Sequence, residues 1–257
     1  MLWLNLKAAV KKIGFCIAIG GVLAPTMTYA KLQAYRINQP IAVDVVEITD
    51  LSNLQLYLND KHGQPYQDFQ RLKTSLQPIC KKMEFAMNAG MYQANLSPVG
   101  LYIENGVQQK SLNRATKGFG NFLIQPNGVL AWNANQAIIT TTQKYAASNF
   151  KARNATQSGP MLVIDGHMNQ NFLAKSDSLK IRNGVGIKNG KLYFVISRTG
   201  VSFYAFAQYF KDNLGVKDAL YLDGSISSAV ISDLNRFDRN LRPLGPIVAY
   251  TPTFKCK

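Results

Sequence analysis

The sequence predicts an α+β fold in which a hairpin-rich, mainly antiparallel sheet packs against a few helices. Two observations lead to this prediction. Short apolar runs are repeatedly followed by an Asn-Gly or Asp-Gly pair and then by a second apolar run, which is the pattern of a β-hairpin. One stretch, residues 201–214, instead spaces its apolar side chains by three and four residues, as an amphipathic helix does.

Four turn pairs mark the predicted hairpins. Asparagine and aspartate tolerate the left-handed backbone that such turns require, and glycine adopts it freely. In the second hairpin, residues 122–124 are predicted as the strand that precedes the turn. The four pairs are Asn105-Gly106, Asn127-Gly128, Asp165-Gly166 and Asn189-Gly190.

Two helices are predicted among the strands. The helix over residues 201–214 can be capped by Ser202 and ended by Gly215. A weaker pattern predicts a helix over residues 69–83, with an irregularity at Pro78.

Residues 1–30 have the three parts of a secretory signal peptide. Three lysines precede a short apolar core, and Thr28-Tyr29-Ala30 supplies small residues where a signal peptidase cleaves. An uncleaved membrane anchor is the alternative, but about 20 apolar residues are needed to span a bilayer. We therefore expect one domain over residues 31–257, without stable membrane insertion after cleavage, in the periplasm or secreted.

The chain is strongly basic, with a formal net charge of +15, of which +12 remains on residues 31–257 because the predicted signal peptide carries three lysines and no acid. Such an excess attracts anions. The basic residues are scattered rather than arranged in a tract with interleaved aromatics, so we expect no nucleic acid partner. The expected partner is an anionic carbohydrate or a sugar-phosphate substrate, and a merely solvated basic surface is the alternative. Nothing in the sequence indicates an oligomeric state.

Two cysteines remain after removal of the signal peptide, Cys80 and Cys256. An even number in an oxidising compartment predicts a disulfide between them. Two free thiols are the alternative.

Several kinds of catalytic site are poorly supported. The chain has two histidines and no close Cys/His cluster, so we expect no metal and no other cofactor, although an oxygen-ligated calcium site stays open. Ser148 begins an S-x-x-K match without its partner motifs, and there is no G-x-S-x-G elbow. A Ser-His-Asp hydrolase is therefore not expected.

Carboxylate chemistry remains, and Asp223 is its main candidate. An apolar run over residues 219–222 ends at this acid, which is followed by a glycine and three hydroxyl residues in the loop Gly224-Ser225-Ile226-Ser227-Ser228. A strand end can aim a carboxylate at a substrate, whereas the alternative is an ordinary Asp-Gly turn. Glu47 and Glu84 also lie in or beside predicted strands and could supply a second carboxylate.

Three other segments place polar residues beside small turns. Asn88 ends a predicted strand before Gly90 and Tyr92, and it is either a turn asparagine or a ligand for sugar hydroxyls. Arg182 precedes Gly184 and Gly186 and is either a surface residue or a phosphate ligand. The third segment is Gln157-Ser158-Gly159-Pro160.

Taken in order, these four segments resemble the phosphodiester glycosidase family over roughly residues 85–231. The resemblance implies hydrolysis of a sugar-1-phosphodiester at the anomeric carbon. Asp223 would act as nucleophile, base or oxocarbenium stabiliser, and Arg182 would neutralise the departing phosphate. The implied catalytic residues are Asp223, Arg182 and Asn88, and the implied substrate-binding residues are Gly90, Tyr92, Gln157, Ser158, Gly159, Gly224, Ser225 and Ser227.

The aspartate loop departs from the family pattern, which usually continues Asp-Gly-Gly-Gly-Ser. Ser225 and Ile226 replace the second and third glycines, and a side chain at Ile226 limits how closely a ligand can approach the backbone. Two other functions therefore stay open: a non-catalytic binding module for anionic envelope glycans, and a structural envelope protein.

Overall fold

A computed structural model describes residues 31–117, 120–224, 226–239 and 242–256. The predicted signal peptide and Ser225 lie outside these residues. The strands, in chain order, are β1 (Leu32–Ile37), β2 (Val43–Ile48), β3 (Leu54–Tyr57), β4 (Phe85–Asn88), β5 (Tyr102–Glu104), β6 (Val107–Lys110), β7 (Gly128–Trp132), β8 (Ala137–Thr141), β9 (Asn154–Ser158), β10 (Met161–Ile164), β11 (His167–Met168), β12 (Asn183–Lys188), β13 (Lys191–Ser197), β14 (Asp218–Tyr221), β15 (Ala229–Ile231), β16 (Arg236–Phe237) and β17 (Ile247–Tyr250).

These strands form three sheets in which neighbouring strands run antiparallel. The first sheet has the order β1-β2-β13-β12-β14-β10-β11, the second β16-β15-β4-β17-β3, and the third β6-β5-β9-β7-β8. The α+β fold with mainly antiparallel sheets is confirmed.

The inner faces of all three sheets share one apolar core. Phe194 of β13, Phe85 of β4 and Trp132 of β7 lie in the same buried cluster. The Phe85 and Phe194 rings are 5.1 Å apart between centroids, so an aromatic pair joins the first sheet to the second. Because the sheets pack on one another, the ends of β4, β12 and β14 come together.

The three α-helices are short: α1 (Phe69–Leu76), α2 (Thr142–Ala147) and α3 (Phe203–Gln208). The helix predicted over residues 201–214 is observed as α3 followed by a π-helical turn, Tyr209–Asn213. The Ser202 side chain accepts from the Ala205 N–H as the predicted cap, and Gly215 has φ +64° at the other end. Phe206 and Phe210 pack against the outer face of the first sheet.

The helix predicted over residues 69–83 ends earlier. After α1 the chain makes a 3-10 turn, Gln77–Ile79, in which Pro78 is the second residue. Proline cannot donate the helical hydrogen bond, and Cys80 then takes a left-handed conformation with φ +57°. Other 3-10 turns are Leu51–Asn53, Asn121–Leu123 and Ser232–Leu234.

The strand predicted over residues 122–124 is wrong. Phe122 and Leu123 belong instead to the 3-10 turn Asn121–Leu123, and the Leu123 and Ile124 N–H groups donate to the Gly120 and Asn121 carbonyls. The other three hairpins are confirmed, and both residues of each turn pair have positive φ, as at Asn105 (+50°) and Gly106 (+84°).

The predicted disulfide is confirmed. Cys80 and Cys256 are bonded, with their Cα atoms 5.5 Å apart and a sequence separation of 176. It ties the end of the chain to the segment between α1 and β4. In the described part of the chain, no helix is long and apolar enough to cross a membrane.

Candidate active site

Asp223 lies just beyond the end of β14 and is only partly buried. Its N–H donates to the Ala89 carbonyl at 3.0 Å, which fixes the loop to the segment that follows β4. The side chain lines a hollow of about 570 Å³, here called the Asp223 hollow. Other residues around it include Tyr92, Asn121, Ile226 and Arg242. The acid is therefore accessible from solvent and is not sealed inside its own turn.

Asn88 contacts the main chain of Asp223 and is completely buried. Its side-chain N–H donates to the Asp223 carbonyl, and its Oδ1 accepts from the Ser228 N–H at 3.0 Å. Asn183 donates to Oδ1 of Asn88 at 3.1 Å and to its main-chain carbonyl at 2.9 Å. These bonds satisfy a buried amide and join both ends of the Asp223 loop to β4 and β12.

Arg182 lies in a neighbouring hollow of about 490 Å³, the Arg182 hollow, which also contains Lys180 and Ser227. Asn121 and Ile226 line both this hollow and the Asp223 hollow, so the two adjoin.

The Arg182 guanidinium is held rigidly. It donates from Nε to the Val201 carbonyl at 2.8 Å, from one terminal nitrogen to the Ser178 carbonyl at 3.0 Å and from the other to the Tyr221 hydroxyl at 3.3 Å. Its central carbon lies 3.7 Å from the Phe203 ring centroid, a stacking that favours arginine over lysine. Burial lowers the pKa of Arg182. Three of its five N–H donors are thus bonded to protein.

Two tyrosines flank the acid. Burial raises the pKa of Tyr221 to about 12; the charge of Arg182 opposes this rise, and that of Asp223 adds to it. Burial also raises the pKa of Tyr92, again with a contribution from Asp223. Both phenols are therefore neutral near pH 7 and add no negative charge beside Asp223.

A family model for phosphodiester glycosidases matches residues 81–251, more than half of the chain and all of the segments just described. The chain belongs to the phosphodiester glycosidase family. The resemblance carried by the four sequence segments is thereby confirmed.

Relatives of this family member include the uncharacterized protein YigE of Escherichia coli (strain K12). YigE is 36% identical over 204 residues, which are 79% of this chain and 74% of YigE. The catalytic domain of zebrafish N-acetylglucosamine-1-phosphodiester alpha-N-acetylglucosaminidase, auto-inhibited by its pro-peptide, has a similar structure, with a TM-score of 0.59 at 15% identity over 87% of this chain and 84% of that one. A hypothetical protein from Synechocystis has a TM-score of 0.58 at 15% identity over 86% of this chain and 61% of that one. The two structural similarities show a shared fold.

Within this phosphodiester glycosidase fold, the other candidate carboxylates lie away from Asp223. Glu47 is on β2, which β13 and β12 separate from β14, and it accepts from Lys191 at 2.7 Å. Glu84 precedes β4, whereas Asn88 ends that strand. Among the described residues that line the two hollows, Asp223 is the one carboxylate.

Gln157 and Ser158, implied as substrate ligands by the resemblance, are buried. The Gln157 side chain accepts from the Leu101 and Asn113 N–H groups at 3.0 and 2.9 Å and donates to the Asn113 carbonyl at 2.7 Å. It therefore holds the Asn113 segment, which walls the Asp223 hollow. The Ser158 hydroxyl has no hydrogen-bond partner among the described residues.

Three motif glycines are required by close packing. A Cβ atom at Gly90 would overlap Thr156 and Gln157, and one at Gly224 would overlap the Tyr221 hydroxyl. At Gly159 it would lie 2.8 Å from the Asn127 Cβ. Of the three, Gly224 lines the Arg182 hollow, whereas Gly90 and Gly159 line neither hollow and serve protein packing.

The remaining motif residues are close to the acid. Tyr92 lines the Asp223 hollow and donates to the Pro243 carbonyl at 2.7 Å. Ser227 lines the Arg182 hollow and donates to Asn183 at 3.2 Å.

Three residues at or beside the hollows were not predicted as site residues: Asn183, Asn121 and Arg242. Asn183 follows Arg182 directly at the start of β12, and a polar residue entering a buried strand was a usable signal. Asn121 and Arg242 reach the site through loops, and no local pattern distinguishes them from ordinary polar surface residues.

Proposed function

We propose that this chain is an exported hydrolase that cleaves sugar-1-phosphodiesters at the bond between the anomeric carbon and the phosphate oxygen. The observation that carries the proposal is the position of Asp223. Its carboxylate is partly exposed, and hydrogen bonds hold both ends of its loop to the segment around Asn88. Among the described residues that line its hollow, Arg242 is the other charged one. Membership of the phosphodiester glycosidase family supports the same reaction class.

The chemistry fits a site with one carboxylate. As the bond from the anomeric carbon to the phosphate oxygen breaks, both bonding electrons leave with the phosphate and positive charge develops on the sugar. Asp223 would stabilise that charge. Water supplies the oxygen that bonds to the anomeric carbon, and its released proton passes to solvent. A phosphate monoester leaves as a stable anion, so a strong general acid is less necessary than for an alcohol.

The departing phosphate requires positive charge nearby. Arg242 lines the Asp223 hollow, and Arg182 with Lys180 lines the adjoining one. Because Arg182 is held by three hydrogen bonds and by ring stacking, its charge would be fixed before substrate arrives. Asn88 is a positioning residue in this proposal, since its buried amide holds the Asp223 loop and does not line the hollow.

Export to the periplasm or the medium is part of the proposal. The signal-peptide pattern of residues 1–30 supports it. The disulfide between Cys80 and Cys256 fits an oxidising compartment.

The test is turnover of a synthetic sugar-1-phosphodiester by the purified protein and by an Asp223→Asn variant. Asp233→Asn is the matched control, because Asp233 is exposed on a surface 3-10 turn. We expect Asp223→Asn to lose at least about 100-fold in kcat, the scale on which enzymes depend on positioned electrostatic groups, while the control keeps wild-type activity.

Equal turnover by wild type and Asp223→Asn would remove Asp223 from the mechanism. Salt-sensitive binding of anionic glycans without any turnover would instead favour a binding module, in which Ile226 occupies the space that glycines leave open in the family pattern.

A further inference from the structure

A third hollow, of about 980 Å³, adjoins the Asp223 hollow, and its residues have no part in the proposed reaction. We call it the Arg114 hollow after one of the cations in its wall. Ala115 lines both hollows, so they adjoin. The Arg182 hollow also adjoins the Asp223 hollow, because Asn121 and Ile226 line both. The Asp223 hollow therefore has the Arg114 hollow as one neighbour and the Arg182 hollow as another.

The Arg114 hollow has the chemistry of an anion and sugar site. Arg114 and Lys144 supply positive charge, and the described residues that line it include no carboxylate. The polar part of its wall consists of amides and hydroxyls, among them Gln125, Asn171 and Thr141. Amides and hydroxyls are the groups that bind sugar hydroxyls and phosphate oxygens.

Gln125 is an amide in the wall of this hollow. Its side-chain Nε2 is buried and has no hydrogen-bond partner among the described residues. The backbone at this position is fixed, because its carbonyl accepts from Asn171 at 2.7 Å and from Asn169 at 3.2 Å. A buried donor without a partner is destabilising, and because this nitrogen is screened from the hollow, the side chain must turn before it can donate to a ligand oxygen there.

The positive charge in this hollow is available to a ligand. Lys144 pairs with Asp165 at 2.7 Å, but both side chains are more than half exposed, at 57% and 66%. Exposed pairs of this kind contribute little to stability, so Lys144 can turn toward an anion at small cost. Arg114 is exposed as well.

The three hollows together have more volume than one sugar phosphodiester fills. Each hollow is within the range of about 300–1,000 Å³ that holds a whole drug-sized ligand. Cations lie along all three: Lys180 and Arg182, then Arg242, then Arg114 and Lys144. This charge distribution matches a ligand whose negative charge repeats.

We infer that the substrate is an oligomer of sugars joined by phosphodiester links, bound so that the Arg114 hollow holds a unit beside the one being cleaved. This inference rests on the proposed function and names the substrate class of the same site.

The experiment compares kcat/KM for two probes: a synthetic three-unit oligomer of sugar-1-phosphodiester links, and the methyl phosphodiester of the single sugar. The variant Arg114→Ala/Lys144→Ala removes two positive charges from the hollow. The control Arg71→Ala/Lys82→Ala removes two exposed charges that also pair with carboxylates, Asp68 and Glu84, outside the three hollows. Gln125→Glu is a second variant of nearly the same shape that replaces the amide donor with a repelling carboxylate.

We expect the wild type to prefer the oligomer. The ratio of kcat/KM between oligomer and monomer should fall about ten-fold or more in Arg114→Ala/Lys144→Ala, as for loss of a hydrogen bond to a charged group. The ratio should also fall in Gln125→Glu and stay at the wild-type value in the control. Equal kcat/KM for both probes, or a ratio unchanged in both variants, would overturn the inference and leave the proposed function intact. Turnover of neither probe would overturn both.

Discussion

The Asn183 side chain lies across the junction of two sheets and donates to Asn88 twice, to the main-chain carbonyl at 2.9 Å and to Oδ1 at 3.1 Å. Asn183 begins β12 of the first sheet, and Asn88 ends β4 of the second. Asn88 in turn donates to the carbonyl of Asp223. The position of the acid therefore depends on two buried amides that do not line the hollow themselves.

Asn183→Ala should lower both stability and activity. The substitution removes the Asn183 donor to the buried Asn88 main-chain carbonyl and one of two donors to its Oδ1, at a cost of about 2–3 kcal/mol in the free energy of unfolding. The Asp223 loop also loses its support, so kcat should fall more than KM changes. Urea unfolding and initial rates measure the two effects. Asn149→Ala, at an exposed asparagine, is the control. Unchanged kcat in a destabilised Asn183→Ala protein would show that the junction is structural only.

Gly224→Ala should reduce activity more than it reduces stability. A Cβ atom there would overlap the Tyr221 hydroxyl, so the loop that carries Asp223 must shift. A displacement of about 1 Å can cost about 100-fold in rate. Gly190→Ala is the comparison, because Gly190 has φ +75° and a Cβ atom there would meet no other atom within 4 Å. The substitution strains the backbone of the β12–β13 turn without displacing a neighbour. If both variants lose activity in the same proportion as stability, the loop geometry has no special role.

Asp44→Asn should be strongly destabilising without affecting the site directly. Asp44 is buried and contacts three arginines, Arg36 at 3.1 Å, Arg236 at 3.0 Å and Arg198 at 3.4 Å. Removing one partner of a buried ion cluster costs about 3–5 kcal/mol. Urea unfolding measures it, with Asp212→Asn as the control at an exposed pair with Lys211. Equal unfolding midpoints for the two variants would contradict this account.

Glu104 gives an expected pH dependence of stability. Burial raises the pKa of its carboxyl above the ordinary 4.5. The folded protein thus holds this proton more tightly than the unfolded chain does. The stabilisation is fully present below pH 4.5 and is lost as pH rises through the folded pKa.

Glu104→Gln should remove this loss. The neutral amide can still accept from the Tyr102 hydroxyl, which lies 2.7 Å from the Glu104 carboxylate. We therefore expect the unfolding midpoint of the variant, relative to wild type, to rise with pH above 4.5. Glu84→Gln, at a more exposed carboxyl, is the control. Parallel pH profiles for Glu104→Gln and wild type would contradict the assignment.

The sequence predicted local features better than assembled ones. Turn pairs such as Asn189-Gly190 need positive φ at both residues, and the identity of these two residues alone favours that conformation. Their hairpins were therefore predictable. Residues 122–124 are apolar enough to form a buried strand, but the chain makes the 3-10 turn Asn121–Leu123 there instead. Only tertiary packing decides between these outcomes.

The site was predictable in part for the same reason. Asp223, Tyr92 and Ser227 follow strand ends or turns and lie at the hollows. Asn88 and Gln157 have the same local pattern yet are buried, because the sheets pack over them. Whether a strand-end amide faces a ligand or a neighbouring sheet depends on how the three sheets meet, which local spacing does not encode.

A glycosidase mechanism centred on Asp223 requires that the bond from the anomeric carbon to the phosphate oxygen breaks. A sugar-1-phosphodiester hydrolysed by the purified protein in heavy-oxygen water, with products analysed by mass spectrometry, reports where the water oxygen goes. Cleavage at the anomeric carbon places the label on the anomeric hydroxyl of the released sugar and leaves the phosphate unlabelled. Label found in the phosphate product would mean attack at phosphorus, and it would contradict a glycosidase mechanism centred on Asp223.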